Sequence, residues 1–509
     1  MTRGRSWPAA APGARARRTS LGALALTAAS AIRLSLQFAL LPLLARLVGP
    51  AEYGLVALAM PFILLANVLA DGGMGYALGR LREASRELES TVFWITAAIG
   101  VGLALCCCAA ALPMGAILHQ PRLPLLIAAL SPILIMNALT AVSNGRIIRE
   151  GRFTVFAAGD LISTGAGAAT AVTAALHGWG AWSLVAQQLV LWTAKVIWVT
   201  WNGRAALGFY WRLGEARALM AFGFSTIGAI LADFISRNLD SLIVGAVLGV
   251  SSLGFYAMAY QIVRVPDMLI SGPLYLYIYT AMSRTVGDDG ASSDLALAAL
   301  RLGSTALAPL FCGLALVADL AVPLVLGEKW FGAIAPLQLL TLAGFFFCLC
   351  SIMATAVMGL GRSKVQLGMS MLLAVVTIAV VAVSARFGLR AVAAALATGM
   401  GLVAATYVGQ LARVLAVPIR APVAAIFPAG VGVAALSASV LAARAMLQHM
   451  PLSLQLAGAV TAGGVGYLAA LAIFRRRIIA DLRLFSRAQA DDPTPAASGP
   501  EARVDGAVA

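Results

Sequence analysis

The chain has 509 residues, of which 61% are hydrophobic and only 11% charged. A soluble domain of this length does not carry that composition; a polytopic membrane protein does. The net charge of +15 does not point to nucleic acid, because the basic residues sit at the ends of apolar stretches, where they meet anionic membrane lipid.

Fourteen apolar stretches come near or exceed the ~20 residues that span a bilayer as a helix. In chain order they are 20–46, 53–79, 91–117, 123–146, 153–176, 180–202, 219–248, 253–282, 295–326, 333–359, 365–385, 390–412, 422–444 and 453–474. The first follows Arg3, Arg5, Arg15, Arg17 and Arg18 and begins like a signal peptide. Its apolar run continues to Val48, too long for a signal core, so an uncleaved first helix is expected. The loops on one side carry Arg80/Arg82/Arg86, Arg146/Arg149/Arg152, Arg204/Arg212/Arg217, Arg284/Arg301, Arg362/Lys364 and Arg413/Arg420. Of the 36 Lys and Arg, 26 fall on that side with the two tails, 6 on the other side and 4 inside the spans. The positive-inside rule makes the crowded side the cytoplasm, and an even number of spans places both termini there. Trp179, Trp182 and Trp330 fall at outer boundaries, and Trp198, Trp201 and Trp211 at inner ones, as an aromatic belt predicts.

The expected organisation is all-α: a basic tail over 1–19, an N-lobe of six spans over 20–218, a C-lobe of six over 219–414, an appended pair over 415–474, and a cytoplasmic segment over 475–509. Residues 204–218 and 476–488 are predicted to form amphipathic surface helices, and the Pro/Ala/Asp-rich stretch from Asp491 a disordered tail. The two lobes follow from an internal repeat. Gly49, Gly54, Ala57 and Ala59 recur at Gly249, Gly254, Ala257 and Ala259. Gly151, Arg152, Gly178 and Ala181 recur at Gly361, Arg362, Gly388 and Ala391. An even number of spans per copy gives the halves one orientation, related by an axis along the membrane normal, with a site expected between them.

Charges inside the spans are costly, about 2.5–3.5 kcal/mol each at a helix centre, and mark function or pairing. They are Arg33, Asp71, Asp160, Lys195, Asp233, Arg237, Asp240, Arg264, Asp267 and Asp319. Asp233, Arg237 and Asp240 share one helix face by i+4 and i+3 spacing, and Arg264 and Asp267 are an i+3 pair. Arg33, Arg237 and Arg264 are the candidate ligands of a substrate diphosphate, since guanidinium forks match phosphate oxygens. Asp233, Asp240 and Asp267 are candidates for ion coupling or for charge pairing. The alternative for this group is mutual neutralisation that orients helices. For Arg33, which has no acid on its own helix, it is a cross-helix partner such as Asp233. Asp71 and Lys195 are either inner-gate charges or residues that snorkel to the interface. Asp160 and Asp319, nearer helix ends, are expected to be structural. Gln37, Asn67, Asn137, Asn144, Gln187, Gln188 and Asn238 either line a sugar-accepting cavity or bond helix to helix.

Cys106, Cys107, Cys108, Cys312, Cys348 and Cys350 all lie in spans, so neither disulfides nor a metal site is expected. His119, His177 and His449 lie at separate outer ends. There is no nucleophile elbow, phosphate-binding glycine loop or HExxH, so no cofactor is expected, and a transporter rather than an enzyme.

The run Leu43-Leu44-Ala45-Arg46-Leu47-Val48-Gly49-Pro50-Ala51-Glu52-Tyr53-Gly54 resembles the signature of Wzx-type polysaccharide flippases of the MOP exporter superfamily. Ala70-Asp71-Gly72-Gly73-Met74-Gly75, Arg152-Phe153, Gly178-Trp179-Gly180-Ala181-Trp182 and Asn238-Leu239-Asp240-Ser241-Leu242-Ile243-Val244-Gly245 fit the same pattern. The resemblance covers about residues 20–475. It implies a two-lobed bundle of fourteen helices. It also implies an undecaprenyl-diphosphate-linked oligosaccharide as substrate, flipped from cytoplasmic to periplasmic leaflet of the bacterial inner membrane. Polysaccharide polymerase and chain-length machinery are the expected partners. An ion-coupled multidrug-type antiporter of the same fold is the alternative, although its cavity is expected to be acidic and aromatic. A polysaccharide polymerase or ligase is a further one, although such enzymes are expected to carry a large outer loop, and none is present.

Overall fold

The computed structural model describes residues 12–71, 85–203, 208, 210, 213–268 and 272–490. The side chains of 12–26 and 213–237, and of several helix-end residues including Asp71, lie outside that description. So do the loop arginines Arg80, Arg82, Arg204 and Arg212, residues 204–207, 209, 211 and 212 of the expected surface helix, and the tail from Asp491.

All regular structure among the described residues is helical. In order, the helices are α1 (Pro12–Leu47), α2 (Pro50–Asp71), α3 (Arg86–Ile117), α4 (Leu123–Leu130), α5 (Pro132–Arg149), α6 (Phe153–Leu176), α7 (Ala181–Gly203), α8 (Leu213–Pro266), α9 (Gly272–Arg284), α10 (Asp289–Val325), α11 (Ile334–Gly359), α12 (Ser363–Ser384), α13 (Leu389–Val414), α14 (Arg420–Met446), α15 (Leu452–Ile473) and α16 (Arg475–Ala490). Short 3₁₀ turns occupy Glu328–Ala333 and Ala385–Phe387.

Twelve helical stretches among the described residues are long and apolar enough to cross a membrane, with α4 and α5 counted as one. α7 has the length, but Gln187, Gln188 and Lys195 lower its apolarity. α8 turns sharply at Gly249 (φ 81°, ψ 172°), a backbone geometry that only glycine adopts readily. The turn separates the two spans expected at 219–248 and 253–282. Within the second of these, Pro266, which lacks the N–H a helix interior needs, is followed by a π-helical turn at 267–268, and α9 is described from Gly272.

The repeat reappears as local geometry. Gly151 (φ 66°) and Gly361 (φ 75°) end α5 and α11 in the left-handed conformation. In each case the next residue, Arg152 or Arg362, donates its N–H back to the carbonyl five residues earlier, Ile147 or Val357. The same glycine cap thus closes the helix in both copies.

The chain divides into two compact units. The first comprises Met1–Gln261, Asp319–Leu337 and Thr377–Ala395. Small residues let its helices approach, as is usual where lipid removes the hydrophobic drive between helices. A Cβ on Gly100 of α3 would lie 2.7 Å from Ala138 Cβ of α5, and one on Gly167 of α6 would lie 2.9 Å from the Gln187 carbonyl of α7. The second unit comprises Ile262–Ala318, Gln338–Val376 and Leu396–Ala509. Here Gly463 of α15 faces Val440 of α14, and Tyr467 donates its hydroxyl to the Thr305 carbonyl of α10 at 2.7 Å. α16 forms where the sequence predicts a surface helix. Asp481 on it accepts both bonds from Arg301 Nη1 at 2.6 and 2.7 Å, and the Phe485 carbonyl accepts the Tyr277 hydroxyl at 2.6 Å.

Candidate functional site

Three of the charges inside the spans come together in the first unit. Lys195 Nζ lies 3.0 Å from Asp160 Oδ1, and Arg33 Nη1 lies 4.0 Å from Asp160 Oδ2. At 1.5 Å per residue, Asp160 sits about 10 Å inside the start of α6 and Lys195 about 12 Å before the end of α7. Arg33 is about 21 Å before the end of α1 at Leu47. All three are therefore at membrane depth, and among the described residues one carboxylate between two cations leaves one positive charge over. Lys195 is also held over the Trp192 and Phe156 rings, at 5.4 and 5.9 Å from their centroids. Arg33 is held more loosely, and its side chain is 42% exposed against 20% for Lys195. Asp160 is an acid beside Arg33, and the side chain of Asp233, named as an alternative partner, lies outside the described residues.

The remaining candidates make other contacts or lie outside the described residues. Arg237 and Asp71 have side chains outside the described residues. Asp240 is buried and accepts the Tyr256 hydroxyl at 2.6 Å and the Ser241 N–H at 2.7 Å. Arg264 is exposed at the end of α8 in the second unit. Asp267 follows Pro266 in a π-helical turn and accepts the Tyr275 hydroxyl and the Cys348 thiol, each at 3.5 Å. Among the described residues no ion pair joins Arg264 to Asp267, although their spacing suits one. Asn137 donates to Asn67 at 2.5 Å, so that pair bonds α5 to α2.

Sequence reasoning passed over Glu89. It is buried at the start of α3 and takes Arg149 at 2.5 Å and Arg146 at 3.8 Å. Residues beside it hold the segment after α7: Ser90 Oγ and Trp94 Nε1 both donate to the Gly208 carbonyl. The signal was available, since Glu89 lies inside a helix whose N-cap, Ser85, is legible from its type.

At the α1–α2 end of the first unit the repeat residues meet each other. Gly54 of α2 and Gly254 of α8 touch backbone to backbone. A Cβ on Gly54 would overlap the Val250 carbonyl oxygen and lie 2.7 Å from Gly254 N; one on Gly254 would overlap the Pro50 carbonyl oxygen. Around this crossing, Arg46 donates to the carbonyls of Leu324 and Val325, capping α10, and Tyr53 donates to Gln261. Trp330, expected in an outer aromatic belt, is fully buried. Its Nε1 donates to the Ala45 carbonyl at 2.7 Å, and its ring packs edge-on against Tyr53 and Phe255.

The model of a family described as "Polysaccharide biosynthesis protein" matches residues 43–335, more than half of the chain. The chain belongs to this family. It is 27% identical over 350 residues to the succinoglycan biosynthesis transport protein ExoT of Rhizobium meliloti (strain 1021), covering 69% of this chain and 71% of that one. It is 25% identical over 332 residues to the lipopolysaccharide biosynthesis protein WzxC of Escherichia coli (strain K12), covering 64% and 67%. Among solved structures, the lipid II flippase MurJ in an inward closed conformation superposes with a TM-score of 0.70 at 13% identity, covering 89% of this chain and 99% of that one. The last comparison shows the fold, an all-α bundle, and the twelve apolar helical stretches among the described residues make the protein a multi-span membrane protein.

Proposed function

We propose that this protein flips an undecaprenyl-diphosphate-linked oligosaccharide from the cytoplasmic to the periplasmic leaflet of a bacterial inner membrane, for the synthesis of a cell-surface polysaccharide such as O-antigen, exopolysaccharide or capsule. The observation that carries this is the surplus cation of the Arg33–Asp160–Lys195 cluster, held at membrane depth in a chain of the polysaccharide biosynthesis family. A diphosphate and its sugars cannot enter hydrocarbon unaided. Arg33, 4.0 Å from Asp160, exchanges that weak contact for bidentate bonds to phosphate oxygens, while Lys195 keeps Asp160 neutralised. Arg237 and Arg264 complete the diphosphate ligands, and Asp71 serves as an inner-gate charge. The lipid tail stays in the bilayer while alternating access exposes the headgroup outward. Asp233, Asp240 and Asp267 couple the cycle to an ion gradient, and polymerase and chain-length machinery consume the product. Both termini lie in the cytoplasm, following the arginine distribution. A surplus cation in the site also opposes a cationic drug as substrate.

The test is reconstitution. Proteoliposomes carrying the lipid-linked repeat unit extracted from the producing cells are probed with an impermeant lectin or periodate. The wild type is expected to equilibrate the lipid between leaflets, Arg33→Ala to slow this at least tenfold, and Arg33→Lys to fall between. Movement no faster than in empty liposomes would overturn the proposal.

A further inference from the structure

The outer end of the first unit holds a recess of about 520 Å³, within the ~300–1,000 Å³ typical of small-ligand sites. It is lined by Glu52 and Leu55 of α2, by Arg122 with Leu125 and Leu126 of α4, and by the 178–182 turn between α6 and α7. The turn is bent by Gly178 (φ 77°) and Gly180 (φ 55°), which allows it to press against Glu52: a Cβ on Gly180 would lie 3.0 Å from Glu52 Oε2. Glu52 is fixed at both oxygens. Oε2 accepts the Ala181 N–H at 3.0 Å and Oε1 accepts Arg122 Nη1 at 3.0 Å. The Arg122 side chain is otherwise open, at 76% exposure. Trp179 and Trp182 stand at the recess, 57% and 40% exposed.

The chemistry of this lining selects among ligands. A phosphate is opposed by the carboxylate, which already neutralises the arginine. An acyl chain would strip water from a charged pair without replacing it. Tryptophans that only anchor a helix in the headgroup layer need no fixed ion pair beside them. A neutral polyol suits every wall: flat apolar faces to stack on, a carboxylate to accept its hydroxyl protons, and guanidinium N–H groups to donate to its oxygens.

We propose that this recess is a glycan subsite at the outer mouth, where sugar rings of the translocated lipid stack on Trp179 and Trp182 and bond to Glu52 and Arg122. It rests on the flippase assignment and deepens it: the subsite reads sugars beyond the first, and so gives preference for a completed repeat unit.

The experiment compares two lipids in proteoliposomes: the repeat-unit lipid extracted from producing cells, and the same carrier assembled only to its first sugar. Trp179→Leu/Trp182→Leu keeps apolar bulk and removes the flat faces. It is expected to slow the repeat-unit lipid about tenfold relative to the one-sugar lipid. Arg122→Ser, at an exposed position, is expected to lower the same ratio about threefold. An unchanged ratio in both variants overturns the subsite. So does an equal slowing of both lipids by the indole variant with no change of ratio in Arg122→Ser, which would make the indoles structural anchors. If the wild type moves neither lipid, the flippase assignment fails and the subsite falls with it.

Discussion

Replacing Gly54 with alanine places a methyl group where α2 and α8 touch. Its Cβ would lie 2.7 Å from Gly254 N and 2.8 Å from the Val250 carbonyl carbon, and would overlap the Val250 oxygen. Ordinary contact begins near 3.4 Å, so the backbones must part by at least about 0.7 Å. Neither neighbour is a side chain that can swing aside. Overpacking of this kind costs about 1–3 kcal/mol in the arrangement that contains the contact. If the crossing holds the outer end shut and opens in the transport cycle, the cost falls on the closed state alone. The population of the open state then rises about 5- to 150-fold. The readout is labelling of Ala59→Cys, a buried position just past the crossing on α2, by an impermeant maleimide added from outside in a background without the six native cysteines. Gly54→Ala should accelerate labelling within that range. Gly254→Ala should do the same, because the contact is reciprocal, and the double variant should add less than the sum, since parted helices relieve both overlaps. A labelling rate unchanged in a stable Gly54→Ala protein would refute the idea that this crossing gates the outer end.

Other perturbations follow from the same contacts. Asp160→Asn leaves Arg33 and Lys195 without their shared acid and should cost about 1–3 kcal/mol, less than a fully buried pair because the groups are 20–42% exposed. Adding Lys195→Met should restore part of the Tm in detergent. Trp330→Ala empties a fully buried site and should cost about 3–5 kcal/mol, whereas Trp330→Phe, losing chiefly the bond to the Ala45 carbonyl, should cost about 1 kcal/mol. Thermal unfolding followed by size-exclusion recovery measures both. Arg301→Ala removes the two bonds to Asp481, worth about 1.5–3 kcal/mol, and should raise amide exchange across Arg475–Ala490 while leaving α14 and α15 protected.

Much of the fold was legible because the bilayer makes length and apolarity decisive. The apolar runs marked the spans, and the offset glycines marked both the turn at Gly249 and the matching caps at Gly151 and Gly361. The π-helical turn at 267–268 was not foreseen, because the hydropathy pattern carries no sign of it. That turn also undoes the Arg264–Asp267 spacing argument: i+3 neighbours share a face only in a continuous α-helix, and Asp267 lies in the π-helical turn. Trp330 reads identically in a lipid-facing belt and in a buried plug; only the packing of Tyr53 and Phe255 around it separates the two. The Lys195–Asp160 pair, by contrast, was within reach. Both lie seven or eight residues from the same end of consecutive antiparallel helices, hence at one depth. Weighing each charge against its own helix alone hid the match.

The most direct test of the central claim is the leaflet distribution of lipid-linked oligosaccharide in cells lacking this protein, complemented with the wild type or with Arg33→Ala. Accumulation on the cytoplasmic face, relieved by the wild type and not by Arg33→Ala, is the predicted result. Unpolymerised units gathering instead on the periplasmic face, or polymer made at normal levels without the protein, would contradict it.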